Sequence, residues 1–271
     1  MGAGHHYTDA QAVQSILVHQ KLWLTDLRFM NDSTELSHGV EIIKNAMKHK
    51  PQGLFYNWDY VEKAMSYLSS SLSEYEDASW TEDPVFAMSF SRKDDLLSQW
   101  RGYGSYAIAF DSERLKESRL ELRNCIYDGK SKAGQALQQL TSAVASISKS
   151  MAEDEGCIGS DSIDKLIGLI ELAATFKDAG FDEESEVRMI ARPDKHHIRY
   201  RPKNGILIPY VEIEIPAEAI VGVRVGPIRD QDLASLSMRM FISSVESAYR
   251  NDGGSVEWSV PVNISNTPYR Q

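Results

Sequence analysis

DPVFAMSFSRKDDLLSQWRGYGSYAIAFD, residues 83–111, marks a change of texture in the chain. Upstream, apolar residues recur at helical spacing. Here they alternate with small and polar residues, the period-two signature of strands. Pro84 breaks the preceding helix, because its ring clashes with the helical backbone and it lacks an N–H donor. FAMSFS therefore reads as a buried strand and SYAIAFD as a second. Between them, RKDDLLSQWRGYG reads as a short helix or loop ended by Gly102 and Gly104. GYGS lacks both the spacing and the following helix of a dinucleotide-binding loop.

Working outward, HHYTDAQAVQSILV opens with Thr8 and Gln11 in capping-box spacing, before a helix with Val13, Ile16 and Leu17 on one face. KLWLTD reads as a strand. MNDSTELSHGVEIIKNAMKH reads as a turn and a helix burying Leu36, Val40, Ile43 and Met47, and WDYVEKAMSYLSSSLSEYE as another helix. Downstream, Ser112 caps a helical turn and LELRNCIYD reads as a strand. Residues 131–178 hold two long helices separated by AEDEGCIGSDS. ESEVRMIAR, GILIPYVEIEI and IVGVRVG read as strands, RDQDLASLSMRMFISSV as a late helix and SVEWSVP as a last strand. Helices come first and in the middle, and strands come in short consecutive runs. That order predicts an α+β domain over 1–271, with 131–178 as a helical insertion between strands.

Bulk properties narrow the partners. The 271 residues carry 29 Lys and Arg against 39 Asp and Glu, a net charge of −10, so polyanions are repelled at long range. Non-specific nucleic-acid binding, which depends on neutralising phosphates, is not expected. The one dense basic stretch, RPDKHHIRYRPK at 192–203, reads as an exposed hairpin connection. Adjacent His196 and His197 point oppositely on a strand and do not suit joint metal binding. No apolar run approaches the roughly 20 residues that span a bilayer, and the N-terminus has no signal-like pattern. Cys125 and Cys157 lack metal or disulfide-framework spacing, which predicts a reducing, cytoplasmic setting.

Four groups of residues can carry chemistry. HHYT, residues 5–8, precedes a helix whose first N–H groups suit polar ligands. Asn31, Asp32, Ser33 and Glu35 form a turn, a cap and an acidic first helical turn, or Asp32 and Glu35 line a pocket or bind a metal. Ser89 and Ser91 flank Phe90 on a buried strand, and buried hydroxyls need partners. Close behind them, Trp100 reads as core, while Arg101 and Tyr103 suit a cleft. In FDEESEVRMIAR, Glu184 and Glu186 share one strand face, with Arg188 next on it. Two carboxylates so placed repel each other unless exposed or paired. They are either a solvated strand edge or the acidic end of an active site, with pairing to Arg188 as the plain outcome.

Together HHYT, WLTDLRFMNDSTE, FAMSFSRKDDLLSQWRGYGSYAIAFD, FDEESEVRMIAR, PYVEIEIP, IVGVRVGP and SNTPYR resemble a bacterial domain-of-unknown-function family numbered 2971, along nearly the whole chain. A second resemblance suggests a mechanism. A first-strand histidine, a Ser-x-Ser strand and then Glu-x-Glu look like the ADP-ribosyltransferase pattern. This chain has Ser-Phe-Ser for the usual Ser-Thr-Ser, Tyr7 where glycine is common, and a long insertion before the glutamates. The resemblance implies mixed and antiparallel sheets around a central cleft, with outer helices.

It also implies NAD as a substrate, no metal, and an acceptor that is protein, nucleic acid or small molecule, with a toxin or phage-defence role. His6 (or His5), Tyr7 and Thr8 then hold the dinucleotide, together with Ser89, Phe90 and Ser91. Arg101 and Tyr103 complete its site. Glu186 acts as the catalytic acid and Glu184 orients the acceptor. Two other expectations stand beside it. One is a metal-dependent hydrolase or nuclease using Asp32, Glu35, Glu184 and Glu186 as Mg²⁺ ligands. The other is a non-catalytic sensor or interaction module with Trp100, Arg101 and Tyr103 as its surface.

Overall fold

A computed structural model of the protein describes residues 4–30, 33–49, 57–77, 83–118, 122–192 and 197–268. In its first half the elements are β1 (Gly4–Thr8), α1 (Ala10–His19), β2 (Lys21–Asp26), α2 (Ser33–Ala46), α3 (Trp58–Glu76), β3 (Phe86–Ser91), α4 (Leu97–Tyr103), β4 (Tyr106–Phe110) and α5 (Ser112–Leu115). Then follow β5 (Leu122–Asn124), α6 (Gly129–Glu153), α7 (Asp161–Ala173), β6 (Glu186–Ala191), β7 (Arg199–Lys203), β8 (Ile206–Glu214), β9 (Ile220–Val225), α8 (Gln231–Asn251) and β10 (Val262–Ile264).

The fold is α+β. Among the described residues ten strands make one open sheet in the order β10-β9-β4-β1-β3-β2-β8-β7, with β6 and β5 joined through β3. Among the described strand pairs only β9–β10 is parallel. The sheets expected around a central cleft are therefore joined into one, and β3 is the joint. One edge of β3 pairs along its full length with β6, from Phe86↔Ala191 to Ser91↔Glu186. Its other edge is shared. β1 takes its C-terminal end through His5↔Ser91, and β2 takes its start through Thr25↔Ala87 and Asp26↔Phe86. Between these contacts β1 and β2 diverge, and the sheet divides.

Alternation along the strands sends side chains to two different cores. Phe86, Met88, Phe90, Val187 and Met189 pack with α1 and α8 through Val13, Leu17, Met238 and Ile242. Ala87 and Ile190 face the other way, onto α2, α3, α6 and α7. Helices α6 and α7 pack on one another and on α2 and α3, completing a four-helix layer begun upstream. Leu36, Val40 and Ile43 are buried there, as their spacing predicts.

Local signals were less exact. Asp9, not Thr8, caps α1, its side chain accepting from Ala12 N, because Thr8 is still paired with Tyr106 in the sheet. Asp111 caps α5 in place of Ser112 for the same reason of position: it is the first residue beyond β4. The SVEWSVP stretch is not a strand; β10 begins at Val262, immediately after it, while Trp258 is buried and donates to the Ile220 carbonyl. The basic stretch contributes β7, which among the described residues is an edge strand paired with β8. Among the described residues no helix is long and apolar enough to cross a membrane.

Candidate functional site

Where β1 and β2 part, a cleft of about 610 Å³ opens over β3, a volume within the range of small-molecule sites. His6 closes the bare stretch of the β3 edge: its Nδ1 lies 2.9 Å from the Ser89 carbonyl oxygen. A carbonyl can only accept, so Nδ1 carries the proton and Nε2 is left as an acceptor. Burial lowers the affinity of His6 for a second proton, opposed by the Ser89 bond and by Asp9. His5, on the other face of β1, is lowered likewise by burial, against the pull of Asp94.

The chemistry concentrates on the β3 face that carries Ser89 and Ser91. Ser89 Oγ donates to Glu186 Oε1 at 2.7 Å, and Arg188 Nε donates to the same oxygen at 2.5 Å. Lys177 Nζ binds Glu186 Oε2 and lies 2.7 Å from Glu184 and 3.2 Å from Glu35. The Arg188 guanidinium also donates to Glu35, and at 2.6 Å to the Ala174 carbonyl. Ser91 Oγ donates to the Glu184 carbonyl at 2.6 Å, and the Glu186 N–H donates to the Tyr127 hydroxyl at 2.8 Å.

Three carboxylates thus face two cations, all buried or nearly so, with one negative charge uncompensated. Taking such groups from water costs several kcal/mol per ion, which only close pairing offsets. Burial alone would raise the Glu186 carboxyl, but Arg188 and Lys177 outweigh it and hold the acid below the ordinary glutamate range. Lys177, in spite of burial, is held protonated by Glu186, Glu184 and Glu35. Cys125, nearby, is no nucleophile, since burial pushes its thiol up to about 12.

The glutamates are therefore neither a solvated edge nor a plain strand pair. Glu184 ends a 3-10 turn, Ala179–Glu184, and only Glu186 belongs to β6. Ser185 between them has φ 45°, a left-handed conformation that brings both acids to Lys177. The pairing of Glu186 with Arg188 occurs as well.

Of the other expected residues, His5, His6, Tyr7, Thr8, Ser89 and Ser91 border the same cleft as Glu184 and Glu186. Tyr7 serves partly as a brace: its hydroxyl donates to the Lys93 carbonyl at 2.8 Å and accepts from Leu96 N at 3.1 Å. Phe90 borders the cleft but points into the α1/α8 core, 5.6 Å from the Phe110 ring. Tyr103 borders the cleft; burial and the nearby carboxylates raise its pKa, against the opposing pull of Lys177. Arg101 does not border it. It lies two residues before Tyr103 on α4, on the helix's exposed side, as the helical period requires. Trp100 is buried against Tyr7, ring centroids 4.5 Å apart, and so cannot form a recognition surface.

The metal-site expectation meets a physical obstacle. Glu35, Glu184 and Glu186 do converge, but Lys177 and Arg188 occupy the space between them. Among the described residues no group of three or more His, Cys, Asp or Glu can hold a metal. Asp32 lies outside the described residues. Sequence reasoning missed Lys177 and Tyr127 altogether. Lys177 follows buried Phe176 in a loop, and nothing local marks it as the hub of a charge cluster.

Neither the curated proteins nor the solved structures give a match. Residues 99–189 match the family described as protein of unknown function (DUF2971), a segment that carries Tyr103, Lys177, Glu184, Glu186 and Arg188.

Proposed function

We propose that the cleft binds NAD and that Glu186 assists cleavage of the bond between nicotinamide and ribose, delivering ADP-ribose to an acceptor or to water. One observation carries this. His6, Ser89 and Glu186, 83 and 97 residues apart in steps, are joined at one cleft by consecutive hydrogen bonds. They are the three groups, in order, of the ADP-ribosyltransferase-like series.

The chemistry suits the residues. As the glycosidic bond breaks, its electrons pass to the nicotinamide nitrogen and positive charge develops on the ribose. A fixed, ionised carboxylate stabilises that charge without reorganising. A carboxylate offers about four acceptor positions. Ser89, Arg188 and Lys177 take three at Glu186, leaving one for a ribose hydroxyl. The uncompensated charge of the cluster also favours a cationic ring in the ground state. Tyr103 offers an aromatic face at the same wall.

The test is release of free nicotinamide from NAD, measured with protein, nucleic-acid and small-molecule acceptors and with water alone. Wild type should release it, and Glu186→Gln should lose about a hundredfold or more. Growth should slow on expression of the wild type and not of the variant. Equal nicotinamide release by both proteins, or none by either with any acceptor, overturns the proposal.

A further inference from the structure

At the other side of the cleft stands a cation of a different kind. Arg201, on β7, lies with its guanidinium carbon 5.6 Å from the Trp23 ring centroid and 5.8 Å from that of Tyr210. One of its terminal nitrogens donates to Thr25 Oγ1 at 3.0 Å. Its Nε is buried and has no hydrogen-bond partner. No carboxylate pairs with it among the described residues, whereas Arg28, Arg188 and Arg192 each hold one. Burial lowers its hold on the proton, opposed only by Tyr210.

A half-buried guanidinium with an unsatisfied N–H is an expensive arrangement, and in a native structure it calls for a missing partner. Arginine stacked on aromatic rings keeps its fork of donors aligned for a bidentate oxyanion. In the sheet order β6-β3-β2-β8-β7, three strands separate Arg201 from Glu186. The cleft therefore has an acidic wall and a basic one.

We infer that Arg201, aligned by Trp23, Tyr210 and Thr25, is a subsite for the diphosphate of a nucleotide. This rests on the dinucleotide reading of the cleft and extends it. A ligand with a cationic ring and a diphosphate matches both walls, and a guanidinium fork matches phosphate oxygens better than it matches a neutral sugar.

Calorimetric titration with ADP, inorganic pyrophosphate and adenosine tests the subsite without any turnover. ADP and pyrophosphate should bind, and adenosine far more weakly. Arg201→Gln should weaken ADP and pyrophosphate by about tenfold or more. Arg201→Lys, which keeps the charge but not the fork, should fall between. Exposed Arg239→Gln on α8 controls for net charge and should change nothing. Denaturation midpoints confirm that each variant is folded. Absence of ADP binding in the wild type overturns the inference, as does unchanged affinity in both Arg201 variants. The two proposals fail separately. Arg201-dependent ADP binding without nicotinamide release removes the chemistry and leaves the subsite. Nicotinamide release with an unchanged KM in Arg201→Gln does the reverse.

Discussion

Ser89 Oγ donates to Glu186 Oε1 across the β3–β6 pair at 2.7 Å, although the residue directly opposite Ser89 in the ladder is Arg188. The bond is diagonal, and Arg188 Nε meets the same oxygen. Ser91, two residues along, holds the backbone carbonyl of Glu184 instead. The two serines of Ser-Phe-Ser thus divide the work: one aims the carboxylate, the other fixes the turn that delivers it. Ser89→Ala should cost about 1–2 kcal/mol, the low end for a hydrogen bond to a charged group, because Glu186 keeps two cationic partners. Urea denaturation measures it. A variant as stable as the wild type would show that the hydroxyl does not hold the carboxylate.

Lys177 carries more. Its side chain is 4% exposed, and its ammonium touches Glu35, Glu184 and Glu186. Lys177→Met leaves three carboxylates facing Arg188 alone, and breaking a buried pair on one side costs about 3–5 kcal/mol. The Glu186 carboxyl of the variant, no longer held by Lys177, would then ionise less readily. Its deficit against wild type should therefore shrink on acidification, as that carboxyl takes up a proton. Adding Glu186→Gln should restore part of the loss, so the double variant is more stable than the sum of the single effects. Additive losses in a double-mutant cycle would mean that the two side chains are not coupled.

The fold was legible where one period governed a whole element. Val13, Ile16 and Leu17, or Leu36, Val40 and Ile43, announce a buried helical face, and FAMSFS and EVRMIA show strand composition. What no local pattern states is which strand edges β3 divides between β1 and β2, and that division creates the cleft. The candidate site was half legible for the same reason. Ser89, Ser91, Glu184 and Glu186 lie on the short motifs that resemble a known series. Lys177 and Arg201 stand in ordinary loop and edge-strand sequence: the left-handed turn at Ser185 folds Glu184 and Glu186 back onto Lys177, Glu35 reaches it from α2, and Arg201 meets Trp23 and Thr25 only across the sheet. The Thr8 cap was misplaced because pairing with β4 extends β1 one residue further than helix-start rules assume.

Gly104 governs how α4 returns to the sheet. Its φ is +134°, and a Cβ placed on it would lie 2.4 Å from the Thr8 carbonyl oxygen. Both the left-handed backbone and the close approach demand glycine. Gly104→Ala should destabilise by more than about 1 kcal/mol, since alanine is strained at such a position and meets backbone rather than a yielding side chain. It should also shift α4, and with it Tyr103, from the cleft wall. Thermal denaturation would show the loss of stability, and an unperturbed variant would refute the tight contact.

Stability should fall with acid in two stages. His5 and His6 bind protons less readily in the fold than at their ordinary value of 6.5. As pH falls below 6.5, the unfolded chain takes up protons that the folded one refuses, so unfolding is favoured. Their contribution is complete above 6.5 and is lost progressively below it. Glu186 is lowered from 4.5, chiefly because Arg188 and Lys177 overcome its burial. Its contribution is present above 4.5 and disappears as pH drops further. Urea midpoints followed from about pH 8 to about pH 4 should decline first below 6.5 and more steeply below 4.5. His6→Asn, whose amide can still donate to the Ser89 carbonyl, should remove the His6 share of the first stage, leaving that of His5 and the second stage. Glu186→Gln should flatten the second stage and leave the first. A single decline confined below 4.5 in the wild type would show that the first-strand histidines accept protons in the folded state as freely as in water.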